Sequence, residues 1–146
     1  MEERLLNYFR DHEAEIFGDL ERLVKAEAST SDLEALAETR KALEALIRER
    51  TGEEPFVYKR EGGHDLVRFE MGEGKEKLLI IGHYDTVHLI GALQYRTEGD
   101  RLYGPGVSDM KSGLISAIWT ARAYKELGID PGRRLIFIFN GDEETG

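Results

Sequence analysis

Three short acidic motifs contain the residues of this chain that could do chemistry. Residues 82–87 read Gly-His-Tyr-Asp-Thr-Val, residues 104–111 read Gly-Pro-Gly-Val-Ser-Asp-Met-Lys, and residues 141–144 read Gly-Asp-Glu-Glu. Each motif lies at the end of a predicted strand or in a loop. Imidazole and carboxylate groups bind divalent metal ions, and a carboxylate beside such ions can act as a general base. Together the motifs predict most, but not all, of a two-metal hydrolytic site.

The first motif pairs an imidazole with a carboxylate. His83 and Asp85 are two positions apart, so in an extended backbone both side chains point to the same face. A carboxylate that accepts a hydrogen bond from one ring nitrogen fixes the tautomer and makes the other nitrogen a better metal ligand. Taken alone, the pair is better explained as the polar end of a strand, but together with the other motifs it favours a metal site.

The other two motifs also have simpler interpretations when they are taken singly. Asp109 precedes a predicted helix and could be its N-cap, and the acids of residues 142–144 could form a solvated turn. However, the side chains of Glu143 and Glu144 alternate in direction, so one can face a metal and the other a reacting water. Two carboxylates about 4 Å apart repel by roughly 4 kcal/mol at an effective dielectric near 20. If the acids of the motifs share one cleft, a bound metal is the simplest compensation.

Composition restricts the partners and the ligand types. The chain has 146 residues, no cysteine and a formal net charge of -9 at pH 7. This charge argues against nucleic acid or an anionic membrane surface as partner. Without thiolates, a metal must be held by imidazole and carboxylate, which suits zinc, manganese or cobalt. The chain starts without a signal-peptide pattern and has no apolar run of membrane-spanning length, so we expect a cytoplasmic protein.

Hydrophobic periodicity predicts the elements that position the motifs. Apolar residues at helical spacing predict two or three amphipathic helices within residues 2–50, with Ser31 or Asp32 as an N-cap. Residues 56–69 predict a hairpin, and a helix is predicted from residue 112 to 127. The apolar runs 78–81 and 135–139 predict buried strands, each ending in a motif. The fold class expected is α/β, with a mixed sheet flanked by helices.

The ordered trio of motifs resembles that of the co-catalytic zinc exopeptidases and aminoacylases. This family includes glutamate carboxypeptidase, acetylornithine deacetylase and succinyl-diaminopimelate desuccinylase. The likeness is closest to the glutamate carboxypeptidase branch, through residues 82–87 and 98–106, and it extends from about the first helix to the last residue. It implies zinc-dependent hydrolysis of an amide bond in a peptide or an N-acyl amino acid.

The resemblance also implies a role for each site residue. His83 would bind one of two zinc ions, Asp109 would bridge both, and Glu144 would bind the second. Glu143 would be the general base, and Asp85 would orient His83. Cobalt or manganese could replace zinc. A cis peptide bond between residues 109 and 110 is expected as well.

The sequence departs from this family in what it lacks. Family members have a further acidic ligand, a late histidine and an inserted lid or dimerisation domain. We therefore expect residues 1–146 to be the N-terminal portion of a catalytic domain, with the second domain absent. Such a fragment would bind metal weakly, have little activity alone, and need the C-terminal part of the enzyme as partner. An exposed sheet edge would also make homo-oligomers plausible.

Two other functions are weighed against this one. The chain could be a non-catalytic binding or assembly module that retains the fold, although such a module has no need of Glu143. Residues 104–112 also resemble a phosphate-binding loop, but Met110 stands where that motif needs glycine. Trp119 is expected in the core, and His12 and His64 are expected to be solvated. Lys111 is expected to support its loop or to meet a carboxylate.

Overall fold

Amphipathic helices form the first third of the chain. In the computed structural model, which describes residues 1–145, they are α1 (Glu2–Asp11), α2 (Glu13–Lys25) and α3 (Leu33–Thr51). Of the two predicted N-caps of α3, Asp32 is the one used, and its side chain accepts a hydrogen bond from Ala35 N at 3.0 Å. Gly146, the last residue of the predicted domain, lies outside the described residues.

The central sheet is mixed, as predicted. Its strands are β1 (Phe56–Tyr58), β2 (Leu66–Met71), β3 (Lys77–His83) and, after a separate hairpin of β4 (Arg96–Glu98) and β5 (Arg101–Tyr103), β6 (Arg134–Asn140). The order is β1-β2-β6-β3. β2 runs antiparallel to β1 and β6, whereas β3 runs parallel to β6. The predicted hairpin and the α/β class with a mixed sheet are confirmed.

The core lies between one face of this sheet and the helices. Helix α4 (Ser112–Glu126) crosses from the second motif to β6, and Trp119 on this helix is 1% exposed, as its predicted core position requires. Alternate residues of β2 and β6 are buried, and the rings of Phe69 and Phe137 stack with their centroids 4.3 Å apart. In the range 1–145, no helix is both long and apolar enough to cross a membrane.

The prediction that β3 is a buried strand is wrong. Leu78, Leu79 and Ile81 are 47%, 50% and 65% exposed. The reason is topological, because β3 lies at the end of the strand order and pairs only with β6 within residues 1–145. An apolar run therefore predicts a strand, but it does not predict whether that strand lies at the centre or at the edge of the sheet.

Two histidines expected to be solvated are instead half-buried. His12 lies between α1 and α2, with its ring centroid 4.2 Å from that of Tyr8. His64, in the turn of the β1–β2 hairpin, places Nε2 3.0 Å from Thr30 O.

Parallel pairing of β3 and β6 sets up the site. Their registers match His83 with Asn140, so both strands finish at one edge of the sheet. The first and third motifs therefore leave the sheet side by side, where ligands gather in α/β folds.

Candidate metal centre

One imidazole and two carboxylates, each from a different motif, meet at this edge. His83, Asp109 and Glu144 each offer one ligand atom, and these atoms all lie within 4.8 Å of one another. His83 ends β3, Asp109 lies in the turn 107–111 before α4, and Glu144 follows β6. Segments that are distant in the sequence thus form a group able to hold a metal ion.

His83 is held from one side and faces the acids on the other. Its Nδ1 lies 3.1 Å from the backbone oxygen of Asp85 and 3.3 Å from that residue's Oδ1. Its Nε2 lies 3.1 Å from Asp109 Oδ1 and 3.7 Å from Glu143 Oε2. Burial alone would lower the pKa of His83, but the backbone carbonyl and charge of Asp85, with Asp109 and Glu143, raise it overall. An Nδ1–H donor leaves Nε2 free to act as a ligand.

The expected contact between Asp85 and His83 differs in detail from the structure. The hydrogen bond to the ring runs to the backbone carbonyl, and the carboxylate lies beside it. The carboxylate, which is fully buried, instead accepts hydrogen bonds from the backbone N–H groups of Glu143 at 3.3 Å and Glu144 at 3.2 Å. Asp85 therefore ties the first motif to the third.

Thr30 contributes to the site through a contact with Asp85 that was not predicted from the sequence. Its hydroxyl donates to Asp85 Oδ2 at 2.8 Å. The only signal in the sequence is that Thr30 belongs to a polar run, residues 29–31, between two predicted helices and beside the predicted N-cap.

The second motif brings Asp109 to the cluster through a tightly packed turn. Gly106 has a φ of 73°, and a Cβ there would lie 2.6 Å from Thr86 Cγ2. The turn thus packs against the first motif with no room for a side chain at this point. The Asp109–Met110 peptide bond is cis, as the resemblance implies. The Asp109 side chain is 77% exposed, so it faces solvent above the buried imidazole.

Lys111 anchors this turn from inside the protein. It is fully buried, and its Nζ donates to the backbone oxygens of Leu23 at 3.0 Å and Ala26 at 2.8 Å, at the end of α2. Of the two expectations, support of the loop is therefore the one observed, and Lys111 forms no ion pair with a carboxylate of residues 1–145. An amine held in this way cannot reach a phosphate at residues 104–112.

The electrostatics of the cluster suit a cation. Burial, and then the charges of Asp109, Asp85 and Glu143, raise the pKa of Glu144 despite the nearby imidazole. Among residues 1–145, no lysine or arginine forms an ion pair with any of these four acids. The donor set of one imidazole and several carboxylates therefore fits a divalent metal, which would supply the missing positive charge.

Asp142 does not join the cluster. Its carboxylate pairs with Arg60 Nη1 at 2.6 Å and accepts from Asn140 Nδ2 at 3.2 Å. Asp142 is thus paired with the Arg60 guanidinium, whereas Glu143 and Glu144, which follow it in the sequence, face the cluster.

Known proteins share the sequence and the fold. Residues 79–146 match the model of peptidase family M20/M25/M40. Carboxypeptidase G2 of a Pseudomonas species is 35% identical over an alignment of 142 residues that covers 93% of this chain and 34% of that protein. A putative succinyl-diaminopimelate desuccinylase of Mycobacterium tuberculosis is 38% identical over 89 residues, or 61% of this chain and 24% of that protein. The chain thus spans about a third or less of these relatives' length.

A solved structure supports the same assignment at the level of the fold. Human carnosine dipeptidase 1 superimposes with a TM-score of 0.82 at 21% identity, over 99% of this chain and 35% of that one. The resemblance inferred from the three motifs is therefore confirmed by both sequence and fold. The chain is thus similar in sequence and in fold to peptidases of the M20/M25/M40 family.

Proposed function

We propose that this chain contributes to a metal-dependent hydrolase that cleaves an amide bond in a peptide or an N-acyl amino acid. The observation that carries the proposal is the convergence of His83, Asp109 and Glu144 within 4.8 Å. Two of the similar proteins are named as a carboxypeptidase and a dipeptidase, which supports an amide bond as the target.

The proposed cofactor is a pair of zinc ions, with cobalt or manganese as substitutes. His83 and Asp109 would hold one ion, and Asp109 and Glu144 the other, with Asp109 shared. When bound, such a pair polarises the scissile carbonyl and lowers the pKa of coordinated water.

Glu143 would transfer the proton in this reaction, and Asp85 would hold the groups around it in place. Glu143 is 57% exposed, with Oε2 3.7 Å from His83 Nε2, so its carboxylate reaches the space in front of the cluster. There it would accept a proton from the attacking water as the new C–O bond forms. It would then return that proton to the amide nitrogen as the C–N bond breaks, a contribution of typically about 10²–10⁴-fold. Asp85, buried behind it, fixes the backbone of Glu143 and keeps the Nδ1 side of His83 occupied.

This chain alone would be a weak catalyst. The described residues give each ion two protein ligands, whereas catalytic zinc sites usually have three. We propose that further polypeptide, corresponding to the C-terminal part of the family's enzymes, adds the missing ligands. The exposed apolar side chains of β3 give such a partner a surface to pack against.

Metal binding tests the first half of the proposal. A ligand present at 100 times its dissociation constant stabilises a protein by about 2.7 kcal/mol, and a chain of this size gains about 2–4 °C in Tm per kcal/mol. Zinc or cobalt should therefore raise the Tm of the chain by roughly 5–10 °C at saturation. His83→Ala should abolish the shift, and the matched control His12→Ala should retain it. A shift that survives in His83→Ala would refute this site.

Hydrolysis tests the second half. Release of a C-terminal amino acid from N-acyl dipeptides should be near background for the 146-residue chain, and should appear when the C-terminal part of a family enzyme is supplied. Glu143→Gln should then lose at least about 10²-fold in kcat while metal still raises the Tm. Metal binding with no hydrolysis in any such combination would instead favour the non-catalytic binding module.

A further inference from the structure

Thr30 lies outside the three motifs, but its side chain contacts Asp85 of the first motif. It sits between α2 and α3 and is 5% exposed. Its backbone N–H donates to Thr86 O at 3.1 Å, and Ser29 forms an isolated parallel bridge with Thr86. The backbone thus lays this segment alongside the first motif, and the Thr30 hydroxyl points at Asp85.

Four polar groups surround the Asp85 carboxylate, and three of them donate hydrogen bonds to it. An ionised carboxylate offers about four lone-pair positions. On Oδ1 the neighbours are Glu143 N at 3.3 Å and His83 Nδ1 at 3.3 Å. On Oδ2 they are Glu144 N at 3.2 Å and the Thr30 hydroxyl at 2.8 Å, which is the shortest of the four contacts. The hydroxyl also lies 3.2 Å from Thr86 O, but the closer, charged acceptor is preferred.

We propose that Thr30 is a positioning residue for the metal centre, an inference that rests on the proposed function. Asp85 contacts the histidine ligand and the backbone of both glutamates, so its orientation affects all three. Without the hydroxyl, Oδ2 keeps one partner, and the carboxylate can rotate away from its present plane. Thr30 acts through Asp85 and touches neither a substrate nor a ligand atom.

Three variants separate this role from general stability. Thr30→Val removes the hydroxyl and keeps the shape, and Thr30→Ser keeps the hydroxyl. Thr51→Val is the matched control, because Thr51 is 3% exposed and its hydroxyl donates to Ile47 O at 2.7 Å, at the end of α3. Cobalt titration monitored by visible absorption should give a dissociation constant raised by about 10–100-fold in Thr30→Val, as for other losses of a partner behind a metal ligand. Thr30→Ser and Thr51→Val should bind as the unsubstituted chain does, although Thr51→Val should melt at a lower temperature.

A metal-free measurement distinguishes failure of this inference from failure of the proposed function. In ¹⁵N NMR spectra without metal, Thr30→Val should shift the ring nitrogens of His83 and the amides of Glu143 and Glu144, whereas Thr30→Ser and Thr51→Val should not. If the unsubstituted chain binds no cobalt, the proposed metal site fails, but these shifts still decide the role of Thr30. Unchanged His83 and amide signals in Thr30→Val would overturn it, as would equal damage by Thr30→Ser.

Should Thr30→Val fail to fold, the unsubstituted chain provides the test. A Thr30 hydroxyl proton that exchanges slowly enough to be observed, with a nuclear Overhauser contact to the Glu144 amide, supports the proposal. A hydroxyl signal averaged with solvent overturns it.

Discussion

Asp85→Asn should be the most informative single substitution in this chain. It keeps the side-chain shape, removes the negative charge and replaces one acceptor oxygen by an NH₂ donor. Asp85 is fully buried, so water does not reach its own side-chain atoms to replace the partners they lose. The substitution therefore tests whether this carboxylate organises the site.

The size of the effect follows from which oxygen the new nitrogen replaces. In place of Oδ2 it would face Glu144 N–H and the Thr30 hydroxyl, and only the hydroxyl can turn away, toward Thr86 O. In place of Oδ1 it would face Glu143 N–H and His83 Nδ1. Either way at least one backbone N–H loses a charged acceptor. Such bonds contribute about 1.5–3 kcal/mol each, and a buried donor left unpaired costs about 1–3 kcal/mol. We expect a loss of roughly 3 kcal/mol in unfolding free energy.

Urea denaturation of the metal-free protein measures this loss directly, and the Tm should fall by about 6–12 °C. Asp142→Asn is the matched control, because it makes the same change in the neighbouring motif, where Asp142 pairs with the half-exposed Arg60. That variant should lose no more than about 1 kcal/mol. If Asp85→Asn stays within about 1 kcal/mol of the unsubstituted chain, or if both variants lose equally, Asp85 does not organise the site.

Two further predictions concern residues that support the motifs. Gly141→Ala would place a Cβ 2.6 Å from the buried Tyr84 hydroxyl and should lower the unfolding free energy by about 1–3 kcal/mol. Gly18→Ala, in α2 with no atom within 4 Å of the new Cβ, should instead raise the unfolding free energy by about 0.5–1 kcal/mol. Equal Tm values for the two variants would contradict this packing. Burial lowers the pKa of Lys111 from 10.5 to about 7. Between those values the unfolded chain holds a proton that the folded chain has released, so stability should rise with pH, by roughly 2 kcal/mol from pH 7 to 9. Lys111→Met should remove this rise, and a rise of the same size in that variant would show that other groups cause it.

The resemblance to a known family implied the choice of His83, Asp109 and Glu144 as metal ligands, whereas local patterns were enough to predict most of the elements. The apolar runs gave both long strands, each ending in a motif, and a helix was expected after the Gly-Pro-Gly loop. These features were predictable because each depends on a few neighbouring residues, through side-chain alternation and the preference of ligands for the carboxyl ends of strands.

Contacts between distant segments were not predictable in the same way. The exposure of β3 depends on the strand order, and no residue within the run 77–83 encodes which strands flank it. Thr30 and Asp85 are 55 positions apart, and their contact exists because the segment before α3 lies against Thr86. A threonine between two helices is ordinary in sequence, and only the buried carboxylate in front of its hydroxyl makes it distinctive. The acids that could bind metal were thus readable from the chain, whereas the groups that hold those acids in place required the fold.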